Sequence, residues 1–160
     1  MNVTLSTPPR TEAEFRAMPQ MDLTRPENTC AMLLCGINLF LTDPEAGRRC
    51  LDLLRGPRPM TPYDVQFLRD RLRGKAYLPL AYFSGAAPAN GYTPAVPYVL
   101  EVLPDTQPQN PGYRKVFLRT TGADSPRPVT LRQKGSTWCL WEYSSILSGI
   151  RIPAAEDPWA

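Results

Sequence analysis

Residues 122–143, GADSPRPVTLRQKGSTWCLWEY, read as two β-strands joined by a tight turn and ending in a pair of tryptophans. RPVTLRQK alternates, with Val129 and Leu131 on one side and Thr130, Arg132 and Lys134 on the other, the pattern of a strand with one wet face. STWCLWEY differs. Trp138 and Leu140 point one way and Cys139, Trp141 and Tyr143 the other, so both faces of this strand want cover. TGADSP and QKGS supply turns on either side of the first strand. Moving upstream, PYVLEVLP and YRKVFLRTT are two more short strands, which makes residues 98–143 a four-stranded antiparallel meander.

The N-terminal half has a different grammar. TEAEFRAM is a brief helix with Thr11 as N-cap and Glu14 completing a capping box. RPENTCAMLLCGINLFLTD opens on Pro26 and Glu27 and is apolar on nearly every face from Cys30 to Leu41, the mark of a buried helix. TDPEAGRRCLDLLRGP is capped by Asp43 or Thr42, has Pro44 at its first position, turns Leu51 and Leu54 inward and stops at Gly56. MTPYDVQFLRDRLRG repeats the design, with Thr61 as cap, Pro62, Asp64, and a Val65, Leu68, Leu72 stripe before Gly74. Helices followed by a meander predict an α+β domain, the N-terminal helices packed on one face of the C-terminal antiparallel sheet. The expected boundaries are a flexible lead-in at 1–11 and a single domain at 12–160. Within that domain lie a helical part (12–74), a Pro/Tyr-rich loop (75–97), the meander (98–143) and a tail (144–160).

Composition narrows the function classes. At 160 residues the chain can bury an ordinary core without staples, and its 19 prolines, against a usual share of roughly 5%, demand long ordered connections. A net charge of +3 is too small for a nucleic-acid-binding domain. The one basic segment, residues 48–75 with eight bases and three acids, is mostly explained by arginines near helix C-termini, with anion binding as the remaining reading. Histidine is absent, which removes the commonest general base and metal ligand. Cys30, Cys35, Cys50 and Cys139 form no CxxC pair, so no structural metal is expected, and reduced cysteines fit a cytoplasmic protein. No signal peptide is expected from MNVTLSTPPRTEAEF, and the apolar run from Cys30 to Leu41 is too short to span a bilayer.

No motif names a reaction. The carboxylates show no pairing that would place two in a cleft, and Ser144, Ser145 and Ser148 lack both a GxSxG context and an activating histidine. Glycine-rich phosphate loops are missing, so no catalytic residue and no cofactor is expected. The aromatics are what is left. AYLPLAYFSGAAPANGYTPAVPY carries Tyr77, Tyr82, Phe83, Tyr92 and Tyr98 among four prolines, and any strand near Pro79 belongs at a sheet edge. These rings serve either as plugs that pin a long loop or as a binding surface.

The runs SGAAPANGYTPAVPYVLEV and TTGADSPRPVTLRQKGSTWCLWEYSSIL with the closing EDPWA resemble a family of short uncharacterised Firmicutes proteins, classed as a domain of unknown function. The likeness covers residues 26–160 and implies a free-standing bacterial protein, with no activity, cofactor or catalytic residue attached. The helix-then-meander order with a late W-x-L-W strand also resembles the cone-shaped folds typified by nuclear transport factor 2. That likeness implies a curved sheet cradled by helices around a cavity.

The cover for the Trp138–Tyr143 strand is therefore the main expectation at issue. The proline–tyrosine loop, another molecule, or a C-terminal tail folding back to bury Trp159 would each supply it. The resulting expectation is a non-enzymatic cytoplasmic interaction or structural domain. Its ligand or partner surface comprises Tyr77, Tyr82, Phe83, Tyr92, Tyr98, Trp138, Trp141 and Tyr143, with Arg119 or Arg132 as an anion anchor. Its partner is another protein or a second copy, with no nucleic acid and no membrane. The alternative is a small-molecule-binding or atypical enzymatic domain with a cavity between helices and sheet.

Overall fold

A computed structural model describes all 160 residues. Four helices precede most of the sheet: α1 (Glu12–Ala17), α2 (Pro26–Thr42), α3 (Pro44–Arg55) and α4 (Pro62–Leu72). The local signals for their starts hold at atomic detail. Thr11 accepts a hydrogen bond from the Glu14 backbone N–H, Asp43 accepts from that of Ala46, and Thr61 and Asp64 form a reciprocal capping box. The Glu14 side chain departs from the expected box, accepting from the Arg10 backbone N–H instead.

The sheet has five antiparallel strands in sequence order and curls into a half-barrel: β1 (Asn2–Leu5), β2 (Tyr98–Pro104), β3 (Tyr113–Leu118), β4 (Arg127–Lys134) and β5 (Thr137–Glu142). The α+β reading holds. The lead-in is corrected, because residues 2–5 are a strand rather than a flexible arm. β1 pairs with β2 in the register Val3↔Leu100, burying Val3 and Leu5 while Asn2 and Thr4 face out. Four residues give too short a period to announce a strand, and β1 gains its ladder only once β2 is in place.

α2 contacts both edge strands, β1 and β5, so it lies in the trough of the curled sheet with α3 packed outside it. That position explains a helix buried on almost every side. Its side chains join Leu100, Val102, Val116, Leu118, Val129, Leu131 and Leu140 from the inner sheet face in one continuous core of 36 buried residues. The buried Thr29 hydroxyl donates to the Trp138 carbonyl at 2.8 Å, tying helix to sheet without leaving a polar group unpaired. α3 approaches α2 closely at Gly47, where an added Cβ would fall on the Phe40 backbone.

The proline–tyrosine segment contains no edge strand at Pro79. Leu78–Tyr82 form a 3₁₀ turn with Pro79 at its start, where the ring's fixed φ fits and no donor is lost. One isolated backbone bridge, Phe83↔Leu100, joins the segment to β2.

Candidate functional site

The expected surface, aromatic loop plus Trp-rich strand, is not assembled. Tyr82 and Tyr92 are core plugs: their hydroxyls donate to the carbonyls of Ile146 and Arg151, each at 2.6 Å, and burial pushes both hydroxyls above the usual tyrosine range. Tyr77 stacks on Tyr92 with ring centres 5.2 Å apart, and Phe83 packs on Tyr98 at 5.0 Å. Tyr82 and Tyr92 pin the loop to the segment after β5, and Phe83 pins it to β2. Trp138 is buried, its backbone N–H donating to Leu23. Arg119 is paired with Glu101 at 2.7 Å and is no free anion anchor.

The cover for β5 comes from elsewhere too. Trp159 stays 93% exposed, so the tail does not fold back over the strand. The outward side of Cys139 is closed instead by the turn after α3, where a Cβ on Gly56 would come within 2.8 Å of the Cys139 Sγ. Gly56 also holds a left-handed φ of 65° that suits glycine. The helix stop legible in the sequence thus doubles as a lid on the sheet edge.

Trp141 and Arg132 remain at the surface, and the structure gathers others around them. Thr130 pairs with Glu142 but Leu131 pairs with Leu140, leaving Trp141 without a partner on β4. This is a β-bulge, which re-aims a side chain and frees its backbone from the ladder. The Trp141 carbonyl accepts from Arg58 Nη2 at 2.6 Å, while the same guanidinium lies 4.2 Å from the indole centre. Arg132 lies 4.6 Å from that indole and 5.2 Å from the Tyr113 ring, which itself meets Trp141 edge-on at 5.7 Å. Two guanidiniums and a tyrosine edge therefore frame one tryptophan.

Arg55 braces the turn that carries Arg58. It is buried at the end of α3, and its Nε donates to the Arg58 carbonyl (2.9 Å), its Nη1 to the Tyr143 hydroxyl (2.9 Å) and its Nη2 to the Asp64 carboxylate (3.2 Å). Burial works against the Asp64 charge, but hydrogen bonds from Thr61 and the Arg55 charge outweigh it and hold that carboxyl below its usual range. Between this turn and β4–β5 lies a cleft of about 310 Å³. Arg55, Arg58, Arg132 and Lys134 line it, and no carboxylate does.

A family model described as Domain of unknown function (DUF6935) matches residues 7–154. The chain belongs to this family. No curated protein and no solved structure matches it. The matched stretch of the DUF6935 domain takes in Arg55, Arg58, Tyr113, Arg132, Trp141 and Tyr143, and leaves out β1 and Trp159.

The four thiols of the DUF6935 domain are all buried. Burial raises the Cys35 thiol to about 12 and that of Cys50 to about 11, the opposite of an activated nucleophile. No three Cys, Asp or Glu side chains gather closely enough to hold a metal ion, and no helix is long and apolar enough to cross a membrane. The Trp141 cluster presents a flat half-buried ring with cations beside it. Sequence reasoning missed Arg55, Arg58 and Tyr113. Arg58 sits in a plain GPRP run, and nothing local ties it to a carbonyl 83 positions away.

Proposed function

We propose that this DUF6935 domain is a non-enzymatic interaction domain of the bacterial cytoplasm that receives an acidic polypeptide segment on the outer face of β4 and β5. The observation that carries the reading is the framing of Trp141 by Arg58, Arg132 and Tyr113. Trp, Tyr and Arg are the residue types that dominate binding energy at protein interfaces. The charge beside them selects the sign of the partner on the side of Trp141 that carries Arg58, Arg132 and Lys134, where no acidic side chain lines the cleft, whereas Glu142 lines the clefts on its other sides. The Firmicutes origin implied by the sequence resemblance belongs to this reading.

A titration followed on the Trp141 indole N–H by NMR tests it. A short polyglutamate peptide should shift that resonance with an affinity that weakens as salt rises, whereas a polylysine peptide should not. Followed by calorimetry, Trp141→Ala should abolish binding while leaving the thermal midpoint unchanged. An indole that ignores the acidic peptide sinks the reading.

A second reading rests on one observation, a cleft of about 470 Å³ where the first turn of α2 meets β2 and β3, lined in part by Glu27, Val102, Arg114 and Val116. It would make the domain a small-molecule binder at the mouth of a cone, as the likeness to nuclear transport factor 2 folds implies. A dose-dependent thermal shift from a metabolite, lost when the exposed cleft residue Arg114 is replaced in Arg114→Trp, would favour it; a shift that survives Arg114→Trp counts against it.

A further inference from the structure

We infer that the cleft between the Gly56–Arg58 turn and β4–β5 seats a phosphate monoester, carried by a phosphorylated side chain of the partner segment. The inference rests on the Trp141 face being the recognition surface and names the group that anchors there.

The argument starts from charge balance. Among the four cations lining the cleft, Arg55 is already matched by Asp64 at 3.2 Å. Arg58 spends one nitrogen on the Trp141 carbonyl. Arg132 and Lys134 make no side-chain hydrogen bond and enter no ion pair. Arg58, whose charge is felt by Asp64 and Glu142 outside the cleft, Arg132 and Lys134 thus face it without an ion pair, and no carboxylate lines it. One glutamate or aspartate would match only one of them. A phosphate monoester brings a charge of about −1.5 to −2 and three acceptor oxygens near neutral pH, and arginine forks bind it through paired hydrogen bonds.

Geometry points the same way. Arg132 and Lys134 alternate with Gln133 along β4, so both project from the same outward face. Arg58 reaches that face from the other side, held by the bond from Arg55 to its carbonyl. The two guanidinium carbons, 4.2 and 4.6 Å from one indole centre, can be no farther apart than the sum of those distances. They are positioned before any ligand arrives, which removes part of the ordering cost of binding. A volume of about 310 Å³ suits one phosphorylated side chain rather than a large cofactor. Arg clusters of this kind are a recurrent way of reading phosphorylated segments.

The test uses the whole chain and four probes: a short acidic peptide containing one phosphoserine, the same peptide with glutamate there, the same peptide with serine there, and inorganic phosphate. Binding is followed on the Trp141 indole resonance and by calorimetry. The phosphopeptide should bind at least about tenfold more tightly than the glutamate peptide, with the difference lost in the double variant Arg132→Gln, Lys134→Gln and kept in Lys75→Gln. Unchanged thermal midpoints in these variants separate lost binding from lost folding. Equal binding of phosphopeptide and glutamate peptide overturns the phosphate inference and leaves the acidic-segment reading standing. Inorganic phosphate binding as tightly as the phosphopeptide also overturns it, because the cleft is then a free-anion site. No response of Trp141 to any peptide overturns both.

Discussion

Arg55 and Tyr143, 88 positions apart, are joined by a 2.9 Å hydrogen bond from the guanidinium Nη1 to the phenol oxygen, in a place almost closed to water. The bond fastens the end of α3 to the end of β5, and the turn bearing Arg58 hangs from it. Tyr143→Phe keeps the ring under the guanidinium, 5.9 Å away, and removes only the acceptor. A buried donor left unpaired costs about 1–3 kcal/mol, and more where it is charged. Urea unfolding should show a lower midpoint with an unchanged slope, and an unchanged midpoint would mean that Nη1 is otherwise satisfied.

Tyr92 separates anchoring from recognition. Its ring is wholly buried and stacked on Tyr77, and its hydroxyl closes onto Arg151. Tyr92→Ala should cost about 3 kcal/mol or more, on the scale of large aromatic deletions from a core. Tyr92→Phe should cost about 1 kcal/mol, the net worth of one hydrogen bond. Both variants, where folded, should bind the acidic peptide as the parent does.

Gly47 tests the α2–α3 approach by the sign of an effect. In an exposed helix interior, glycine to alanine stabilises by about 1 kcal/mol. Here the new methyl would land on the backbone of Phe40, which cannot step aside as a side-chain tip would. Gly47→Ala should therefore destabilise by about 3 kcal/mol or abolish folding. A stabilised variant, judged by its thermal midpoint, would contradict the close packing.

The buried thiols predict both reactivity and pH dependence. At pH 8 a thiol reagent should label none of the four cysteines in the native protein and all of them in urea. The unfolded chain releases thiol protons near about pH 8.5, whereas the native state holds those of Cys50 and Cys35 to about 11 and 12. The unfolded state thus binds fewer protons above that point. Stability from this source is complete below it and declines as pH rises toward the native values. Tyr82 and Tyr92, whose hydroxyls burial also pushes up, add to the same decline from about pH 10. Urea midpoints should fall between pH 8 and pH 10.5, and a flat or rising profile would refute the account.

The structural roles of Thr11, Asp43 and Thr61 were legible in the sequence because a helix cap is completed within three residues. Alternation in β4 and the all-round apolar run of α2 were equally readable, since the period of a side-chain pattern is a local property that survives into any packing. Together they determined the α+β class and the order of helices before meander. The candidate site was readable only in part: Trp141 and Arg132 stood out by type, while Tyr82 and Tyr92 share the composition of a surface and belong to the core.

Other features were decided only by tertiary structure. β1 exists because β2 offers it an edge, and four residues cannot stabilise a strand alone. The β5 bulge depends on the register that β4 imposes, and the reach of Arg58 to Trp141 depends on where α3 ends against the sheet. These are contacts between residues far apart in the chain, whose closure entropy is repaid only when the whole core forms. Local pattern set the four helices and the strands β2–β5, because caps and side-chain periods are complete within a few residues; the burial shared among those pieces set β1 and which arginines meet which ring.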